Sequence, residues 1–254
     1  MIAIISPAKT LEYDKKVYTD ISLEPHFKKE SEEIAHILKG YSPEDISSLM
    51  KLSEKLSELN FYRFQKFGMN DNERRQSLIV FSGDVYKGIN VMDFKEEDFI
   101  FAKDHLRILS GIYGILNPLD NIEPYRLEMG TKLKNPKGKD LYDFWKEKST
   151  AFMREELKNH KEKILLNLAS EEYSKSIDFN NLGKDTKVVN VAFKEFRNGS
   201  YKIIALYAKR ARGLMSRYII KNKIDKLEDI KGFNEEDYKF NEELSSKNTL
   251  VFTR

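Results

Sequence analysis

The chain has 254 residues, 40% of them hydrophobic and 12% aromatic, which excludes a disordered or fibrous class and leaves room for a full core. Its 44 basic and 41 acidic residues leave a net charge of only +3, so the total implies no anionic partner and the placement of charge must decide. The absence of cysteine excludes a disulfide framework, a thiolate zinc site and a cysteine nucleophile, and predicts cytoplasmic residence.

The chain opens with Met1-Ile-Ala-Ile-Ile5, a run too short and too poor in leading basic residues for a signal peptide. No segment approaches the roughly 20 apolar residues that cross a bilayer, so no membrane role is expected. The opening run instead predicts a strand, and short β-branched runs at 78–81, 163–168, 187–193, 200–206 and 249–252 predict others. Helical periodicity lies between them at 25–39, 43–67, 94–109, 140–158 and 205–223. Strands and helices interspersed from end to end predict an α/β (mixed α+β) fold, and with no repeat, low-complexity tract or Pro/Gly/Ser linker a single domain over 1–254 is expected. One hairpin is visible: runs at 188–193 and 201–206 flank Asn198-Gly199, a pair suited to the positive φ angles of a tight turn.

Polar loops follow several of these strands, at 6–10, 82–86 and 167–170, and a further loop at 124–130 is rich in hydrogen-bonding groups. Loops at strand ends are where α/β proteins collect ligand-binding side chains, so Lys9, Asp84, Arg126 and Lys139 are candidates to act on a phosphate or base. Ordinary turn chemistry around an ion pair is the plainer account of any one of them.

The strongest local signal is 202–223, which carries Lys209, Arg210, Arg212, Arg217 and Lys221 and no Asp or Glu. On a helix, Tyr207, Ala211, Leu214, Tyr218 and Asn222 share one side, while Arg210, Gly213, Arg217 and Lys221 share another. Like charges four residues apart destabilise an isolated helix slightly, which an anion would offset, and Gly213 would leave a gap for a phosphate backbone. The competing account is a solvated basic face paired with acids elsewhere in the fold.

Two hydrophobic-x-Gly-hydrophobic turns, at Gly111 and Gly232, follow helical patterns and fit the hairpin of a helix-hairpin-helix element, whose amides grip a phosphate without reading sequence. Many helices simply stop at glycine, and Asn117-Pro118 shortens any second helix after the first turn. The histidines His26, His36, His105 and His160 show no metal-ligand spacing, and no dinucleotide fingerprint, phosphate loop or nucleophile elbow is present, so no metal or cofactor is expected. His105, Tyr113, Tyr125 and Trp145 read as packing residues.

Taken together, the strings ISPAKTL at 5–11, GDVY at 83–86, HLRILSGIYG at 105–114, PYRLEMG at 124–130, NLAS at 167–170 with Glu172-Tyr173, and AKRARGLMSR at 208–217 resemble the peroxide stress YaaA family, in family order over nearly the whole length. That resemblance implies a cytosolic protein that protects against hydrogen peroxide, linked to limiting free iron and the DNA damage it promotes. It also implies DNA binding, a fold of its own type, a basic cleft and a helix-hairpin-helix element. Carried onto this chain, the cleft would include Lys9 with Lys209, Arg210, Arg212 and Arg217, and both glycine turns stand as its hairpin. The function expected is non-sequence-specific binding of double-stranded or structured DNA. The alternative is a repair enzyme acting on a base or sugar-phosphate, with Lys9 as nucleophile or Asp84 or Glu128 as acid and base.

Overall fold

A computed structural model describes residues 1–254 except Val17. Its centre is one sheet of eight strands: β1 (Ile2–Ile5), β2 (Leu106–Ser110), β3 (Gly114–Leu116), β4 (Ile164–Asn167), β5 (Lys187–Arg197), β6 (Ser200–Lys202), β7 (Lys239–Phe240) and β8 (Thr249–Thr253). Across the sheet the order is β7-β8-β5-β4-β1-β2-β3, with β6 folded back on β5. The five strands from β8 to β2 run parallel, and β3, β6 and β7 add antiparallel edges. Parallel strands covered on both faces require apolar residues at every position rather than every second one, and all four residues of β1 and all five of β2 are buried.

Counted in chain order, the parallel strands sit as 2-1-3-4-5. The chain leaves β1 toward β2, returns to lay β4 on the other side of β1, and continues outward through β5 and β8. Adjacent strands whose connections depart in opposite directions leave a crevice beyond their carboxyl ends, here between β1 and β4.

The predicted hairpin is present: Arg197 pairs with Ser200 across Asn198 and Gly199, whose φ angles of 52° and 76° give the mirror-image turn that matches strand twist. Three helical expectations hold at Lys28–Lys39, Leu141–Lys158 and Ala205–Lys221. The 43–67 pattern divides into Pro43–Met50 and Glu54–Lys66, separated where Lys51 takes a left-handed conformation. Three expectations are corrected. The run at 200–206 is a strand only to Lys202, and its last two residues begin the helix Ala205–Lys221. Residues 78–81 belong mainly to the short helix Ser77–Val80, and the 94–109 pattern is the helix Glu96–His105 running directly into β2.

The packing residues are where they were expected. Trp145 is fully buried and its indole N–H donates to the Gly111 carbonyl at 2.9 Å, Tyr113 and Tyr125 are buried, and His105 stacks on Phe101 with Nδ1 at 2.9 Å from the Met1 carbonyl. Among the described residues no helix is long and apolar enough to cross a membrane.

One buried acid gives the fold a pH dependence. Burial pushes the Asp120 carboxyl up to about 7 despite a 2.8 Å hydrogen bond from the Asn117 amide. The folded state therefore keeps this proton to higher pH than the unfolded chain, so the site favours folding at low pH and loses that contribution as pH rises from about 4 toward 7. Asp120→Asn keeps an acceptor for Asn117 and removes the charge. Thermal melts of this variant are expected to lie above the native protein at pH 8 and to converge with it near pH 4; an unchanged difference across that range would show that Asp120 does not control it.

Candidate functional site

The loops singled out by sequence meet at the carboxyl ends of β1 and β4. Leu168 N donates to the Ile4 carbonyl at 3.0 Å, and one residue pair beyond, the Ser170 amide donates to Ser6 Oγ at 2.9 Å while the two hydroxyls lie 3.2 Å apart. The Tyr86 hydroxyl donates to the Ser6 carbonyl at 3.1 Å, and Gly83 packs against Ala8 so closely that an added Cβ would stand 3.3 Å from the alanine methyl. The 124–130 loop closes the group: Lys9 Nζ lies 3.1 Å and Arg126 Nη2 3.3 Å from Glu128 Oε1, and the Gly130 amide donates to Glu172 Oε1 at 3.0 Å. Tyr125 anchors this loop through a 2.6 Å hydrogen bond with Ser110 at the end of β2.

Charge at this end of the sheet is arranged unevenly. Lys9 is 63% exposed, whereas the Arg126 side chain is only 19% exposed and its Nε is buried without a hydrogen-bond partner. Arg63, from the helix Glu54–Lys66, adds a second half-buried guanidinium; burial and then the Arg126 charge lower its pKa. Sequence patterning gave no sign of Arg63, because its only cue was helical periodicity. The groove beside these residues, about 740 Å³, carries Glu12, Asp14, Asp71 and Glu73 as well as Arg63 and Lys66. It is mixed in charge and is not the basic cleft that was expected. Asp84 begins the short helix Asp84–Ile89 next to Gly83, and Lys139 is exposed, with its amide donating to Asp143 rather than joining the strand-end group.

The helix Ala205–Lys221 departs from its expected arrangement. Gly213 is buried rather than open to a phosphate: an added Cβ would come within 1.9 Å of the Val85 carbonyl oxygen, and one at Gly88 within 2.4 Å of the Arg210 carbonyl oxygen. The two glycines let the helices Asp84–Ile89 and Ala205–Lys221 cross backbone to backbone. Three of the cations taken as outward-facing are committed to carboxylates. Arg210 Nε lies 2.5 Å from Glu236, and Lys221 lies 3.0 Å from Asp98. Arg217 grips Asp93 with both terminal nitrogens at 2.8 and 2.6 Å and donates to the carbonyls of Ile89 and Asn90. Burial opposes charge on Asp98, but hydrogen bonds from Lys223, the Lys95 amide and Lys221 hold its carboxyl down at about 2.

Two cations on this helix have no such partner among the described residues. Lys209 is exposed and forms no ion pair. Arg212 shares the inward face with Ala208, Met215, Ser216 and Ile219; its Nε is buried with no acceptor, and burial alone lowers its pKa, with no carboxylate to offset it. The Asp84–Ile89 helix stands between the two groups, its preceding Gly83 against the Lys9 loop and its Val85 and Gly88 against Gly213, the neighbour of Arg212.

Neither glycine turn forms a helix-hairpin-helix. Gly111 sits between the antiparallel strands β2 and β3, with its Cα facing the Leu127 carbonyl, and Gly232 closes the 3₁₀ segment Glu228–Gly232 beneath the Tyr218 hydroxyl. In both places the glycine admits a close neighbour rather than presenting amides to solvent.

A family profile described as "Peroxide stress protein YaaA" matches residues 1–244. A UPF0246 protein of Clostridium botulinum strain Eklund 17B is 48% identical over 254 residues, covering 100% of this chain and 99% of the relative. A UPF0246 protein of Saccharophagus degradans strain 2-40 is 46% identical over 256 residues with the same coverage.

Proposed function

The chain belongs to the peroxide stress protein YaaA family, and from that premise we propose that it acts in the peroxide response by binding DNA through phosphate contacts that do not read sequence. The observation that carries this proposal is an excess of cations over acids among the described residues: Arg126 and Lys9 share the single carboxylate of Glu128, and Arg212, its Nε buried without an acceptor, meets no carboxylate. A guanidinium partly removed from water without an acceptor is costly, and a phosphate supplies both the charge and the bidentate acceptor geometry it lacks. Lys9 and Lys209, both exposed, extend the contact on either side of the Asp84–Ile89 helix. Arg210, Arg217 and Lys221 fall outside it because their charge is already matched.

A catalytic role for Lys9 is less well supported. Nucleophilic lysines owe their reactivity to desolvation or a neighbouring cation, and Lys9 is exposed beside Glu128. The proposal is tested by titrating random-sequence duplex at increasing salt. Contact by about three to four cations is expected to give a slope of log affinity on log salt of about −2.7 to −3.6. Arg126→Gln should weaken every duplex alike, whereas Arg210→Ala with Arg217→Ala should leave affinity within about twofold. Absence of salt-dependent binding, or loss of binding only in the Arg210 and Arg217 double variant, would overturn it.

A further inference from the structure

Three carboxylates lie in or against the 124–130 loop and its approach, and they are held in different ways. Glu123, its side chain 7% exposed, accepts from the Gly68 amide at 2.8 Å, from the Asn72 side-chain amide, and from Arg74 Nε and Nη2, both at 3.1 Å, so each of its oxygens is occupied. Glu172 accepts from the Gly130 amide at 3.0 Å. Glu128 receives no backbone amide among the described residues. Lys9 Nζ at 3.1 Å and Arg126 Nη2 at 3.3 Å both reach the same atom, Oε1, and Oε2 has no partner there. The Glu128 side chain is 29% exposed, while Leu127 and Met129 on either side are buried and the Leu127 carbonyl is pressed against Gly111. The backbone is therefore pinned, and rotation about the side-chain bonds alone suffices to turn the carboxylate away from the two cations.

A carboxylate holds a guanidinium strongly when its two oxygens take parallel N–H donors at short range, as Asp93 does with Arg217 at 2.8 and 2.6 Å. Glu128 makes the weaker arrangement, two cations on one oxygen at longer range, and leaves Arg126 Nε buried without an acceptor. A phosphodiester carries two free anionic oxygens, enough to serve Arg126 and Lys9 together, and to do so it must take the place that Glu128 holds. That competition is unequal for different anions. Glu128 is attached to the site, so an isolated phosphate must overcome an effective concentration on the order of millimolar. A phosphate in a chain already held elsewhere on the protein arrives with the same advantage as Glu128.

We infer that Glu128 is a specificity-determining residue: an internal anion that fills the position between Lys9 and Arg126 until a chain of phosphates displaces it, and so keeps isolated phosphates out; this rests on the phosphate-binding proposal above. In fluorescence-anisotropy titrations of the full chain with random-sequence duplex, Glu128→Gln is expected to bind about fivefold more tightly than the native protein. Asp71→Asn, which removes an exposed acid from the adjoining groove, should stay within about twofold. In an Arg126→Gln background, Glu128→Gln should gain no more than Asp71→Asn does, because the position it guards has lost its guanidinium. Inorganic phosphate supplies a readout without DNA: compared with chloride at matched ionic strength, it should raise the melting temperature of the Glu128→Gln protein and leave that of the native protein unchanged. An equal gain in Asp71→Asn, a gain that persists without Arg126, equal stabilisation of native and variant proteins by phosphate, or a lower melting temperature in Glu128→Gln with no gain in affinity would overturn the inference and leave duplex binding by the native chain standing. Stabilisation of Glu128→Gln alone by phosphate, with no duplex bound by either protein, would overturn the DNA proposal and leave Glu128 as the guard of a phosphate site. Absence of both effects would overturn both.

Discussion

Gly213→Ala is expected to destabilise the fold by about 3 kcal/mol or more, seen as a fall in melting temperature of roughly 6–12 °C for a chain of this size. The added methyl would lie 1.9 Å from the Val85 carbonyl oxygen and close to Gly88 Cα, both backbone atoms of the facing helix, so no side chain can rotate away to make room. Relief requires the helices Asp84–Ile89 and Ala205–Lys221 to separate, and that interface includes the buried residues Val85, Ala211 and Leu214. Gly40→Ala is the control. Gly40 has an ordinary helical φ of −78° and its added Cβ would meet the Ile37 carbonyl at 3.4 Å, so that variant should melt within a few degrees of the native protein or slightly above it. The comparison separates two roles for Gly213. A glycine that admits a phosphate would cost DNA affinity and leave the melting temperature alone when replaced, and that outcome would remove the packing role assigned here.

Which parts of the molecule were legible in its sequence follows from how far apart the interacting residues lie along the chain. The β5–β6 hairpin was legible because its signal, Asn198-Gly199 between β-branched runs, is contained in a dozen residues. The loops at 6–10, 82–86, 124–130 and 167–170 were recognisable as polar strand ends, but their meeting depends on β4 lying beside β1, a pairing across about 160 residues. The misread elements have separate local causes. Ser77–Val80 is fully buried, and a short buried helix has the same unbroken apolar run as a buried strand. The stripe Phe99, Ala102, Leu106 and Leu109 continued its helical spacing across a helix-to-strand junction that has no intervening loop. The charges on the Ala205–Lys221 helix were misjudged because the acids that neutralise them are remote, Asp93 and Asp98 more than 120 residues upstream and Glu236 on a later turn. A local stretch without carboxylates therefore says little about a free basic surface. What survives of that expectation is Lys209, exposed, and Arg212, on the inward face, the two cations of the helix that meet no acid among the described residues.

Arg212→Met is expected to change stability and binding in opposite directions. The native guanidinium lies on the inward face of its helix among Ala208, Met215, Ser216 and Ile219, with Nε buried and without an acceptor. A buried unpartnered donor costs about 1–3 kcal/mol, and since Arg212 retains some contact with solvent the lower end applies. Methionine fills much of the same space without that cost and favours the helix equally well, so the variant should be about 1 kcal/mol more stable and melt a few degrees higher. If Arg212 holds a phosphate, the same substitution weakens duplex binding several-fold on every sequence and reduces the salt slope by about one. Arg212→Lys should recover only part of the affinity, because an ammonium brings the charge without the planar fork. An arginine retained for packing gives the opposite pattern: its removal lowers the melting temperature, and affinity falls only as far as the folded fraction does. A rise in stability coupled to a loss of affinity is the signature of a residue kept at a cost to the fold for the sake of a ligand, and its absence would take Arg212 out of the DNA contact.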